Sequence, residues 1–71
     1  MNKNEIEKLL KGETIKVGKN QIYLEDDFFI VEKYEYTDNG VDLYSVDDGY
    51  RSIELAIKTA KSIQNPDFKE L

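Results

Sequence analysis

Two pairs of adjacent carboxylates, Asp26-Asp27 and Asp47-Asp48, are the residues of this chain whose types and spacing come nearest to metal binding or paired acid–base work. Either task needs both groups to converge on one point. Neighbouring residues on a strand point to opposite faces, and neither pair falls in the spacing of a calcium-binding loop. The chain has no histidine and no cysteine, so the commonest general base, a thiol nucleophile, a zinc knuckle and a disulfide framework are all missing. Ser45, Ser52 and Ser62 would have only lysines to activate them. Gly12, Gly18, Gly40 and Gly49 stand singly, so no glycine-rich loop cradles a phosphate. The expectation is a protein that binds without catalysis, metal or cofactor.

Charge is more informative than motif. The net charge of −5 is unevenly spread. Residues 1–20 hold five lysines against three acids, residues 21–50 hold nine acids against the single Lys33, and residues 51–71 hold four bases against three acids. All five tyrosines, Tyr23, Tyr34, Tyr36, Tyr44 and Tyr50, fall in the acidic middle. Carboxylates interleaved with tyrosines repel nucleic acid and attract basic clefts, because tyrosine offers a large contact area at low entropic cost and charge speeds association. Lys58 and Lys61 make only a small basic strip, so direct nucleic-acid binding is not expected. The expected partner-binding residues are Asp26, Asp27, Glu35, Asp38, Asp42, Tyr44, Asp47 and Asp48. Their expected partner is a basic protein, such as a nuclease that handles nucleic acid. Acids in turns are also ordinary turn formers and solubilisers, and tyrosines on sheets are often half-buried, so a purely structural reading of each residue stands beside the functional one.

These side chains have to be positioned by a small scaffold. Seventy-one residues make one domain, expected over residues 1–66 with a frayed tail at 67–71. A domain of this size buries about 60% of its unfolded surface and has a stability of about 3–5 kcal/mol. The charged first ten residues contain no signal-peptide core, and the longest aliphatic or aromatic run is Phe28 to Val31, so neither secretion nor membrane insertion is expected. The absence of cysteine fits a cytoplasmic setting.

Asn4 with Glu7 three places later resembles a capping box, and Ile6, Leu9 and Leu10 then share one face of a short helix that Gly12 ends. Thr14 to Val17 and Gln21 to Glu25 read as a hairpin around Gly18-Lys19-Asn20, with Val17 opposite Ile22 and Ile15 opposite Leu24. Asp26-Asp27 is a turn that sets Glu25 against Phe28. Phe28 to Tyr36 and Val41 to Val46 form a second hairpin. A two-residue Asn39-Gly40 loop pairs Asp38 with Val41, Tyr36 with Leu43 and Tyr34 with Ser45 on the core face, and Glu35 with Tyr44 and Lys33 with Val46 on the outer face. This register conflicts with that of the strand before it, because Phe29 and Val31 share the face of Ile22 and Leu24. A bulge near Glu32-Lys33, or a helix on each face of the sheet, would resolve the conflict. After a turn at Asp48-Gly49, Ser52 caps an amphipathic helix whose stripe is Ile53, Ala56, Ile57, Ala60 and Ile63, ending near Gln64 before Pro66. The fold class expected is α+β: a short helix, a four-stranded antiparallel sheet of two hairpins, and a helix packed on it.

Two resemblances bear on function. Gly49-Tyr50-Arg51-Ser52-Ile53-Glu54-Leu55-Ala56-Ile57-Lys58-Thr59-Ala60 resembles the strand-to-helix passage of HicB-type antitoxins, where a similar Ser-x-Glu-x-Ala pattern opens the helix; Asp47-Asp48-Gly49 stands where that family has Pro-Gly-Cys. The layout of the whole chain, through Met1 to Glu7, Thr14 to Val17, Asp38-Asn39-Gly40 and the acidic sheet, is similar to small acidic phage anti-CRISPR proteins. The second likeness implies an inhibitor that fills the DNA-binding cleft of an effector nuclease, with carboxylates in place of phosphates. The first implies an interaction domain that dimerises through its sheet. The expected state is accordingly a monomer or a homodimer.

Overall fold

Helix α1 (Lys3–Leu10), strands β1 (Ile15–Val17), β2 (Asn20–Glu25), β3 (Phe28–Tyr36) and β4 (Asp42–Tyr50), and helix α2 (Ile53–Ser62) follow one another along the chain. The strands form one antiparallel sheet in the order β1-β2-β3-β4, so the expected α+β architecture is present. The structure is a computed structural model that describes residues 3–36, 40 and 42–65. The tail expected at 67–71 lies outside the described residues.

Both helices cover the same face. Leu9 of α1 and Ala56 and Ala60 of α2 share one core with Ile15, Ile22 and Val31, and Ile53, Ile57 and Ile63 pack at its margin. A helix on each face is therefore not the arrangement. The Ser52 hydroxyl accepts from the Leu55 amide at 3.3 Å and starts α2 as expected. The helix closes at Ser62, a little before Gln64, with the Ile63 amide donating to the Thr59 carbonyl. Small residues at 56 and 60 let the α2 backbone approach the sheet closely. Accordingly, the buried Asn20 amide donates to the Ala60 carbonyl at 2.7 Å.

Helix α1 ends at Gly12, whose φ of +91° suits glycine. The Gly12 amide donates to Leu9 and the Glu13 amide to Lys8, which is the bond pair of a Schellman ending. Asn4 lies inside this helix and not at its cap, because α1 already includes Lys3. Of the expected stripe Leu9 alone is buried; Ile6 and Leu10 are exposed, since the two turns meet the sheet mainly along β1 and β2.

The register differs from expectation in both outer hairpins. In the first, Ile15 faces Ile22 and Val17 faces Asn20, two residues from the expected pairing. A shift of two keeps every side chain on its face. Asn20 belongs to the strand and not the turn because its side chain is bonded inside the core. The central turn is as expected: Glu25 faces Phe28, and Asp26 and Asp27, at φ +49° and +68°, have the two positive φ angles of a type I′ turn.

Among the described residues none of the pairs expected in the long hairpin forms; at its base, beyond the expected end of the last strand, Phe29 faces Tyr50, Ile30 faces Gly49 and Val31 faces Asp48. Between Val31 and Glu32 the pairing slips by one, leaving Asp47 as an extra residue on β4. The bulge therefore lies close to Glu32, but on the opposite strand from the one expected. Beyond it Glu32 faces Val46, Lys33 faces Ser45, Tyr34 faces Tyr44, Glu35 faces Leu43 and Tyr36 faces Asp42. Because β3 runs on without a break, Tyr34 and Tyr36 lie on the outer face, and Lys33 and Glu35 lie on the helix side. Asp48-Gly49 is not a turn either, for β4 continues to Tyr50. A Cβ at Gly49 would sit 3.0 Å from Ile30 Cδ1, so the glycine admits a close approach between paired strands. Gly40 has φ +79°, as a turn glycine should, while Asn39 and the pairing of Asp38 with Val41 fall outside the described residues.

Candidate binding surface

Among the described residues the outer face of the sheet carries no helix, and alternation along the strands places Lys16, Gln21, Tyr23, Glu32, Tyr34 and Tyr44 there. They form a connected polar and aromatic layer. Lys16 Nζ donates to Gln21 Oε1 at 3.1 Å and to the Tyr44 hydroxyl, and lies 4.2 Å from the centre of the Tyr44 ring. Gln21 Nε2 donates to Glu32 Oε1, and the Tyr23 hydroxyl to Glu32 Oε2 at 3.3 Å. Tyr34 and Tyr44 meet edge to face with ring centres 5.8 Å apart, and Lys19 Nζ lies 5.8 Å from the Tyr34 ring. Burial, reinforced by the charges of Glu32 and Glu25 and by the bond to Glu32, raises the Tyr23 phenol above its ordinary pKa.

Sequence reasoning missed most of this layer. Lys16, Gln21 and Glu32 carry the alternation signal in plain form, each beside a buried Ile15, Ile22 or Val31, but nothing local says that two long side chains from β1 and β4 will meet above β2 and β3.

Among the described residues, the expected partner-binding residues do not gather into one site. Asp26 and Asp27 form the turn at one end of the sheet, both exposed. Glu35 and Asp42 stand near the other end, roughly 20–25 Å away along β3 at about 3.3 Å per residue. Glu35 was expected on the outer face opposite Tyr44, but the unbroken alternation of β3 puts it on the helix side and the β4 bulge sets it opposite Leu43; there it accepts from the Ser45 hydroxyl at 3.4 Å and lies 4.0 Å from Lys33 Nζ. Tyr44 is on the outer face as expected. Asp47 is the bulge residue, and Asp48 beside it accepts from the Gly49 amide through Oδ1 at 2.8 Å; both are exposed. Asp38 falls outside the described residues.

A shared feature is the strand rather than the cluster. Asp42, Asp47 and Asp48 all stand on β4, which lies at the edge of the sheet and bears no basic residue. The other edge, β1 with the turn after it, bears Lys16 and Lys19. Between the helices an open groove floored by Ile6, Ile53 and Ile57 is rimmed by Glu54, Lys58 and Lys61.

Among the described residues no three carboxylates are grouped closely enough to hold a metal ion, and no helix is long and apolar enough to cross a membrane. Comparison with protein-family models, with curated proteins and with solved structures finds no match to this chain.

Proposed function

We propose that this protein is a non-catalytic binding module, an inhibitor whose acidic β3–β4 ribbon occupies a basic, nucleic-acid-binding site on another protein. The observation that carries the reading is the separation of charge across the sheet, with acids alone on β4 and lysines at the β1 edge. Such a dipole orients the encounter with a basic cleft and turns the acidic edge towards it. The docking set narrows to Asp42, Asp47 and Asp48, with Tyr44 and Val46 on the outer face beside them. Asp26 and Asp27 are accounted for by their turn, and Glu35 by its bonds to Ser45 and Lys33.

The test is competition with DNA. A panel of CRISPR effector nucleases is assayed for DNA binding with and without this protein at low and moderate salt. Blockade of at least one effector, relieved as salt rises, is the expected result; a panel bound to DNA equally well throughout would remove the reading.

A second reading, an antitoxin-like or structural domain that dimerises through its sheet, is favoured by the exposed Leu43 and Val46 on the same strand. Sedimentation of the free protein separates the two. A dimer dispersed by replacing Tyr44 and Val46 would favour the second.

A further inference from the structure

Among the described residues β4 pairs with β3 alone, so its second row of backbone amides and carbonyls faces away from the sheet. Every residue from Leu43 to Asp48 is exposed, Val46 at 61% and Leu43 at 46%. The edge is therefore both long and open. The opposite edge, β1, has three residues and offers no comparable template.

The charges on β4 decide what can pair there. A second copy added antiparallel about a two-fold axis gathers six carboxylates, three from each chain, on one ladder with no base between them. With the axis at Ser45, and Asp47 and Asp48 counted as the one ladder position they share at the bulge, these two acids of each copy stand opposite Leu43 of the other and one position from its Asp42. Like charges brought to neighbouring positions of a ladder repel, and a bulge and charges on an edge strand are devices that discourage self-pairing. A strand with lysine or arginine near its two ends turns each of these repulsions into an attraction.

We propose that β4 accepts an extended basic segment of the docked protein as a fifth strand, with cations near Asp42 and near Asp47 and Asp48. Its intervening apolar side chains lie beside Tyr44 and Val46 on the outer face. This rests on the acidic-docking reading above and adds that backbone pairing, and not charge alone, holds the partner.

Three synthetic heptapeptides test it on the whole protein: Lys-Thr-Val-Thr-Val-Thr-Lys, the same peptide N-methylated at every backbone amide, and a version with glutamate at both ends. Binding is read from amide chemical shifts. The lysine peptide is expected to shift the amides of residues 43–48 and to bind about tenfold more tightly than its N-methylated twin, which keeps the charge and loses the donors. The glutamate peptide is expected not to bind. Equal binding of the N-methylated twin would overturn strand addition and leave the acidic-docking reading standing. Equal binding of the glutamate peptide would overturn both. Shifts confined to β1 or to the groove between the helices, or no shift with the lysine peptide, would overturn strand addition, as would a homodimer that protects the β4 amides from hydrogen exchange.

Discussion

The Asn20 side chain donates from Nδ2 to the carbonyl of Ala60, forty positions along the chain, at 2.7 Å. Its Oδ1 accepts from the Tyr34 amide at 3.1 Å and from Asn65 Nδ2 at 2.6 Å, and Asn65 Nδ2 also donates to the Tyr34 carbonyl at 3.0 Å. One buried amide thus fastens β2 to β3, to the last turn of α2 and to the residues that follow it. Burying a polar side chain is tolerable here because both its ends are satisfied.

Asn20→Ala strands the Ala60 carbonyl and the Tyr34 amide in the core, so it is expected to cost about 2 kcal/mol. In a domain this size that lowers Tm by roughly 10 °C. A melting curve superimposed on that of the wild type would show that the amide does not hold the hairpins to the helix.

Asp27 adopts φ +68°, a conformation that glycine enters without the steric cost an L side chain meets. Asp27→Gly is expected to stabilise the domain by about 1 kcal/mol. Binding should be unaffected if the residue only forms the turn. A loss of partner affinity with unchanged folding would instead make Asp27 part of the docking surface.

The raised pKa of Tyr23 predicts a specific alkaline weakness. Below the ordinary phenol value of about 10 both folded and unfolded chains keep the proton, and the contribution of this group is intact. As pH rises past that value the unfolded chain ionises first, and stability falls until the folded phenol titrates as well. Urea midpoints of wild type and Tyr23→Phe should therefore diverge above pH about 10 in favour of the phenylalanine variant. Parallel curves would mean that Glu32 and burial do not perturb the phenol.

The parts of the fold that were legible in the sequence are those set by near neighbours. The α2 stripe at Ile53, Ala56, Ile57 and Ala60 follows from helical spacing, the Ser52 cap from its own side chain, and the β2–β3 register from a two-residue turn. What escaped depends on distant residues. Asn20 has the composition of a turn residue, and its bonds to the distant Ala60, Tyr34 and Asn65 make it a strand residue. The extra Asp47 leaves no mark in the local pattern, yet it sets Leu43 in place of Tyr44 opposite Glu35 and so lets β3 keep an unbroken alternation, with Glu35 on the helix side and Tyr34 on the outer side. From sequence only Asp42 of the candidate acids could be placed on the last strand, since Asp47 and Asp48 fall beyond its expected end at Val46, beside an expected turn. That this strand is an open edge follows only from the strand order.

The most direct test of the central claim is the salt dependence of binding to whichever effector nuclease the wild type blocks. The Asp42→Asn, Asp47→Asn, Asp48→Asn triple variant is compared with wild type at two ionic strengths, after its melting temperature has been matched to the wild type. Asparagine keeps an oxygen to accept the Gly49 amide and removes the charge. Docking through the acidic edge predicts an intact fold, weaker binding and a shallower loss of affinity as salt rises. Equal affinity and equal salt slope in the folded variant would contradict it.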